Sequence, residues 1–379
     1  MNDPQGTSLA HNRHMRSPRW NNSQQLAVLA TALGLGLGAL ALRHSRRRRA
    51  FDFSGRSVLI TGGSRGLGLV IARQVAAEGA RITLVARDAD ELHRARQIIQ
   101  PAGGDITCIV GDVSKPADAE RMVREVVERT GRIDVLINNA GVIKVGPLAH
   151  MDLTDFDEAM AVHFSGPLHA MLTALPVMRR QGFGRIVNIA SVGGQVAVPH
   201  LAPYCASKFA LVGLSDSIRA EVARAGIYVT TVTPGLMRTG SPFNAWFKGQ
   251  HRREFAWFTI ADSLPAVTVS AETAAAVVID ACRHGDAHRA IGWTARVGAI
   301  ANALAPNLVA RNMAVMNDWL LPGTSEGGND AHSGWQSLSG LAPSRLTRRT
   351  ERAARQNNEV PAAPADDGHG LSGTGDAVE

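Results

Sequence analysis

Tyr204 and Lys208 lie four residues apart in PYCASKFALVGLSDSIRAEVARA (203–225), a stretch whose apolar spacing predicts a helix. On a helix that separation sets both side chains on one face. A free phenol titrates at about 10 and exchanges protons poorly at neutral pH. A neighbouring ammonium favours the phenolate and draws the pKa towards the working range. Ser191, thirteen residues before the tyrosine and at the end of GRIVNIA (184–190), adds a hydroxyl able to hold a substrate oxygen. The chemistry that suits this set is proton transfer to or from an oxygen, with the serine polarising it.

A second set could hold a nucleotide. The run Thr61-Gly62-Gly63-Ser64-Arg65-Gly66-Leu67-Gly68 follows RSVLIT (56–61) and opens a helical pattern. Glycines there let the backbone turn sharply, and the next helix offers free N–H groups to a pyrophosphate. Glycines at a strand–helix turn can also be purely structural; the strand–loop–helix context favours the nucleotide. The next strand, RITLVA (81–86), ends at Ala86 and Arg87 without the acid that binds an NAD ribose. Arg65 and Arg87 without a carboxylate suit the 2′-phosphate of NADP, against the alternative of two solvated surface arginines.

Six near-continuous apolar runs (56–61, 81–86, 105–111, 132–138, 184–190, 227–233) alternate with amphipathic stretches such as 67–79 and 116–131. Such runs predict a parallel sheet covered on both faces. The fold class expected is α/β, a doubly wound, Rossmann-type, three-layer sandwich whose crevice lies at the carboxyl ends of the strands. Asn138-Asn139-Ala140-Gly141 and Thr233-Pro234-Gly235 end two of the runs and join Ser191 on that edge.

Together these motifs make the chain resemble the classical short-chain dehydrogenase/reductase family, from about Phe53 to Trp293, with the motifs in family order. The resemblance implies an NADP-preferring oxidoreductase. Tyr204 looks like the general acid/base, Lys208 its pKa-lowering, ribose-binding partner, and Ser191 the carbonyl-orienting hydroxyl. Gly62, Ser64, Arg65, Gly66 and Gly68 match the dinucleotide loop. Asp112, with Val113 beside it, matches the adenine contact, and Asn139, Ala140 and Gly141 the motif beside the cofactor. Pro234, Gly235 and Thr239 match the nicotinamide end. His163 stands where the family usually has an asparagine that holds a water in a proton relay. Imidazole can donate and accept, so His163 is a candidate substitute; the alternatives are slower turnover or a rearranged relay.

The chain has 379 residues and a formal charge of +7. Residues 1–50 hold eight arginines against Asp3, which leaves 32 basic and 32 acidic residues in 51–379. A neutral body lacks the phosphate-neutralising term, so nucleic acid is excluded as its partner. Leu26–Leu42 is 17 residues without a charge, followed at once by RHSRRRR. It is expected to be a transmembrane helix between a polar segment (1–25) and a polybasic linker (43–52). Three arginines precede it and five follow, which places the body on the cytoplasmic side. A cleaved signal peptide is the rival reading. Gly34 and Gly38 have the GxxxG spacing that pairs helices, as in a homodimer. Cys108, Cys205 and Cys282 lie far apart, which argues against disulfides or a metal site.

The catalytic domain is expected over 53–321. Within 240–264, Phe243, Trp246, Phe247, Phe255, Trp257 and Phe258 read either as a helix pair closing the core or as an apolar lid over a lipid-like substrate. Residues 322–379, rich in Gly, Ser, Ala, Pro and Asp, read as a disordered tail, with a short helix around 344–356 as an exception. The activity expected is NADP(H)-dependent interconversion of a carbonyl and a secondary alcohol on a hydrophobic small molecule. The alternative is a catalytically silent NADP-binding sensor or scaffold at the membrane.

Overall fold

The apolar runs form β1 (Ser57–Thr61), β2 (Arg81–Ala86), β3 (Ile106–Val110), β4 (Val135–Asn138), β5 (Gly184–Ile189) and β6 (Ile227–Pro234). A seventh strand, β7 (His288–Ile291), was not among the expected ones: it is a polar, four-residue edge strand paired on one side. All seven are parallel, in the order β7-β6-β5-β4-β1-β2-β3. The order reverses at β1, so a crevice opens between the carboxyl ends of β1 and β4.

The computed structural model describes residue 41 and residues 43–360 apart from 327. The chain divides into Met1–Arg49 and Ala50–Glu379. In the first unit residues 43–48 are helical; the expected membrane span lies, except for residue 41, outside the described residues. Among the described residues no helix is long and apolar enough to cross a membrane.

In chain order the helices are α1 (Gly66–Ala77), α2 (Ala89–Ile99), α3 (Pro116–Thr130), α4 (Leu153–Met160), α5 (Gly166–Gln181), α6 (Ala202–Val222), α7 (His251–Ala261), α8 (Ala271–His284), α9 (Trp293–Leu304), α10 (Pro306–Leu320) and α11 (Arg348–Gln356). Strand side chains alternate faces. Val58, Ile60, Ile82 and Leu84 pack with α1, α2 and α8, whereas Leu59, Val85, Leu136 and Ile186 pack with α3 and α5. At about 25 cal/mol per Å² of apolar surface, these two layers supply the main stabilisation of the sheet.

In the C-terminal third the aromatic segment takes the core-closing form of its two readings, and the disordered tail needs correction. Phe243, Phe247, Phe255 and Phe258 are buried together, and of the six aromatics only Trp246 lines the cavity described below. The segment therefore mainly closes a small core. Residues 322–326 and 328–360 are also ordered. His332–Ser333 pairs antiparallel with Trp246–Phe247, Trp335 stacks on Phe243 at 4.9 Å, and α11 buries Thr350 and Ala354. The segment lacks apolar residues for a core of its own, but single ones (Trp335, Ala342, Ala354) insert into the aromatic cluster of 243–258. Residues 361–379 lie outside the described residues.

Candidate active site

The strand ends open on a cavity of about 890 Å³. Every site residue expected from the sequence lines it except Gly68, which is buried in α1 beneath the loop. A Cβ on Gly68 would stand 2.2 Å from the Gly62 carbonyl oxygen, so only glycine lets α1 start this close to the turn. Asn139 locks the loop to β4: its amide donates to the carbonyls of Thr61 (3.1 Å) and Gly62 (3.0 Å). Thr61 Oγ1 in return accepts the N–H groups of Asn139 and Ala140.

Behind the catalytic edge, the Asn138 amide donates to Asn188 (2.7 Å), which donates to Ser215 (2.8 Å), tying β4, β5 and α6 together. That ladder fixes the end of β5, which carries Ser191, against α6, which carries Tyr204 and Lys208. Ser191 Oγ accepts the Gly193 N–H at 3.0 Å, and Ser191 and the Tyr204 ring lie together beside Gly193. Lys208 Nζ donates to the Ile189 carbonyl at 2.8 Å and lies 5.7 Å from the Tyr204 ring centroid.

The electrostatics differ from the sequence expectation. Burial pushes the Tyr204 phenol up to about 12, against the pull of Ser191. Burial pushes Lys208 down to about 7. Lys208 is spent on a backbone carbonyl and half-neutral near pH 7, so it does not draw the phenol down here. Tyr204 is thus protonated at neutral pH, the form that can give a proton to an oxygen.

His163 sits on a single π-helical turn (Ala161–Ser165) between α4 and α5. The Val142 N–H donates to its Nε2 (3.1 Å), so Nδ1 carries the proton and donates to the Ser207 hydroxyl (2.8 Å). Ser207 in turn donates to the Tyr204 carbonyl (2.9 Å). Burial, then the neighbouring Lys208, holds the imidazole neutral well below its usual pKa. Both ring nitrogens are committed, so His163 braces the Tyr204 turn and has no ring nitrogen left for a relay water.

At the nucleotide end Arg87 is exposed and borders the cavity. Arg65 is paired to Glu91 at 2.6 Å, and Glu91 also accepts the Ser64 hydroxyl at 2.9 Å. The sequence reading missed Glu91, although its place four residues after Arg87 on a helix was a local signal. It also missed Glu359, whose carboxylate accepts the Gly240 N–H at 2.5 Å and faces Gly66 at the start of α1. Its oxygen shows what the site offers: the Gly240 N–H and the start of α1 present donors to an acceptor oxygen, as a dinucleotide pyrophosphate requires. The residues present therefore fit such a group.

A family described as "short chain dehydrogenase" matches residues 56–245. An uncharacterized oxidoreductase of Thermotoga maritima is 38% identical over 188 residues, 50% of this chain and 74% of its own. D-beta-hydroxybutyrate dehydrogenase of Rhizobium meliloti is 36% identical over 186 residues, 48% of this chain and 72% of its own. The crystal structure of a levodione reductase superposes with a TM-score of 0.56 at 30% identity, covering 64% of this chain and 98% of that one.

Proposed function

This chain belongs to the short chain dehydrogenase family and is a dehydrogenase/reductase acting on CH–OH and C=O groups, and on that premise we propose that it is an NADP(H)-dependent carbonyl reductase with Tyr204 as the proton donor. The observation that carries this reading is the convergence of Ser191, Tyr204 and Lys208 on one cavity, with the serine and the tyrosine ring side by side at Gly193. A nicotinamide dinucleotide, when bound, supplies or takes the hydride. Ser191 polarises the substrate oxygen, and the neutral phenol of Tyr204 protonates it as negative charge develops. Lys208, held by Ile189, lies beside the phenol on the same helix.

Ala86 and Arg87 at the end of β2 support NADP over NAD. Val142, Ile143, Val162 and Trp246 give the cavity an apolar wall, which supports a hydrophobic substrate. Residues 26–42 and the arginines after them support a single-pass anchor with the body in the cytoplasm. The exposed apolar side chains of α9 and α10, among them Trp293, Leu304, Leu308, Trp319 and Leu320, suit work at a bilayer interface.

The test is NADPH oxidation by the purified chain against a panel of hydrophobic ketones and aldehydes. Tyr204→Phe should keep dinucleotide binding and lower kcat by about 10²–10⁴-fold. Dinucleotide binding without turnover on any carbonyl would favour the sensor reading instead. A chain lacking residues 1–50 should leave the membrane fraction and keep its activity.

A further inference from the structure

Beyond α11 the backbone turns at Asn358, in the left-handed region at φ 57°, and lays Asn357–Glu359 over the glycine loop. The Gly66 N–H donates to the Asn357 carbonyl at 2.9 Å. The Asn358 amide donates to the carbonyls of Ser64 (2.9 Å) and Glu91 (3.1 Å), and its oxygen accepts from Arg94 (3.0 Å). Glu359 Oε2 takes the Gly240 N–H, and Oε1 stands 2.9 Å from where a Cβ on Gly66 would sit. The side chain is buried and borders the cavity.

A buried carboxylate is costly unless something compensates it. Here Glu91 adds charge of the same sign, and the nearby Arg65 is already paired with Glu91. What holds Glu359 is the Gly240 N–H and the start of α1, groups that suit a phosphate at least as well. A pyrophosphate at the glycine loop would need the Gly66 and Gly240 surface on which this segment now lies. The two cannot occupy it at once.

We propose that Asn357–Glu359 is a tethered latch that holds the pyrophosphate position of the dinucleotide site and withdraws when the dinucleotide binds. The proposal rests on the reading of this cavity as a nicotinamide dinucleotide site, and holds whether or not a 2′-phosphate is recognised. The latch lowers apparent affinity by the fraction of time it is open.

The experiment compares full-length protein with Glu359→Ala, which removes the side chain lying on Gly66 and Gly240, and Asn358→Gly, which keeps the left-handed turn and deletes the tether. NADPH and NADH affinities are read by nicotinamide fluorescence. Both variants should bind about tenfold more tightly, the factor for a latch closed about nine-tenths of the time. Hydrogen exchange in peptides spanning 348–360 should rise when NADPH is added to the wild type. Equal or weaker binding by both variants, or new protection of 348–360 on NADPH addition, would show a cover over the bound dinucleotide and overturn the latch. No dinucleotide binding by wild type or either variant would overturn both the latch and the cofactor reading; binding by the variants alone would support the latch.

Discussion

The imidazole of His163 stands edge-on to the phenol of Tyr204, with ring centroids 5.4 Å apart and planes at 89°. Its two hydrogen bonds reach Val142 on the β4 side and, through Ser207, the backbone of Tyr204 itself. His163 therefore packs against the Tyr204 ring and is bonded, through Ser207, to its backbone. His163→Leu would leave the half-buried Val142 N–H without its acceptor, a cost of about 1–3 kcal/mol, while the Ser207 hydroxyl keeps its bond to the Tyr204 carbonyl. The expected result is a lower Tm together with a reduced kcat. His163→Asn, which can still accept from one side and donate to the other, should recover most of both. Because the wild-type ring stays neutral, no activity transition at about pH 6–7 should belong to it. A pH–rate transition there that vanishes in His163→Asn would contradict the bracing role.

Glu359 offers a test by stability. Burial pushes its carboxyl from the ordinary 4.5 up to about 8, with the Gly240 N–H the chief opposing influence. Between those values the folded protein holds a proton that the unfolded chain has released. The group's contribution is complete below its unfolded pKa and is lost as pH rises through about 8. Tm should therefore fall from about pH 5 to about pH 8, and fall less in Glu359→Gln, which cannot ionise. Asp262, also pushed to about 8 by burial and by Glu359, keeps part of the slope in the variant. Parallel Tm curves for the two proteins would count against a buried, protonated Glu359.

What the sequence made legible was local. Tyr204 and Lys208 are one helical turn apart, and Gly62, Gly66 and Gly68 occupy one turn whose backbone demands them, so short spacing carries the information. The apolar strands were legible because both of their faces are buried. The edge strand β7 is covered less and carries polar residues, so it had no such run. Pairings between distant segments left no mark: Glu359 meets Gly240 across 119 residues, and Arg65 meets Glu91 across 26. Composition misled at 322–360 for a related reason. A segment poor in apolar residues cannot build a core, yet Trp335, Ala342 and Ala354 need only fill one already made by Phe243, Phe247 and Phe255.

The glycine loop makes a sharper claim at Gly68 than at its neighbours. A Cβ there meets the Gly62 carbonyl oxygen at 2.2 Å and the Asn139 amide at 2.6 Å, so the loop and its lock to β4 must both shift. Gly68→Ala should lower stability by about 1–3 kcal/mol, the usual range for overpacking. It should weaken dinucleotide binding more than it changes Tm, because the loop moves while the sheet remains. Calorimetry of unfolding and of NADPH binding on one preparation separates the two effects. Wild-type values for both would mean that the turn has room this packing denies.

Cofactor choice turns on which arginine is available. Arg65 and Glu91 are bonded to each other, so much of Arg65's charge is neutralised where it stands. Arg87 borders the same cavity, exposed and with no ion-pair partner among the described residues. A charge-assisted hydrogen bond to a 2′-phosphate contributes about 1.5–3 kcal/mol, or roughly 10–150-fold in affinity. Arg87→Ala should raise the Kd for NADPH by that factor and leave the Kd for NADH within about twofold. Glu91→Gln should act the other way, releasing Arg65 towards the phosphate and tightening NADPH alone. An equal loss for both dinucleotides in Arg87→Ala would mean that Arg87 shapes the loop after β2 without reading the 2′ position.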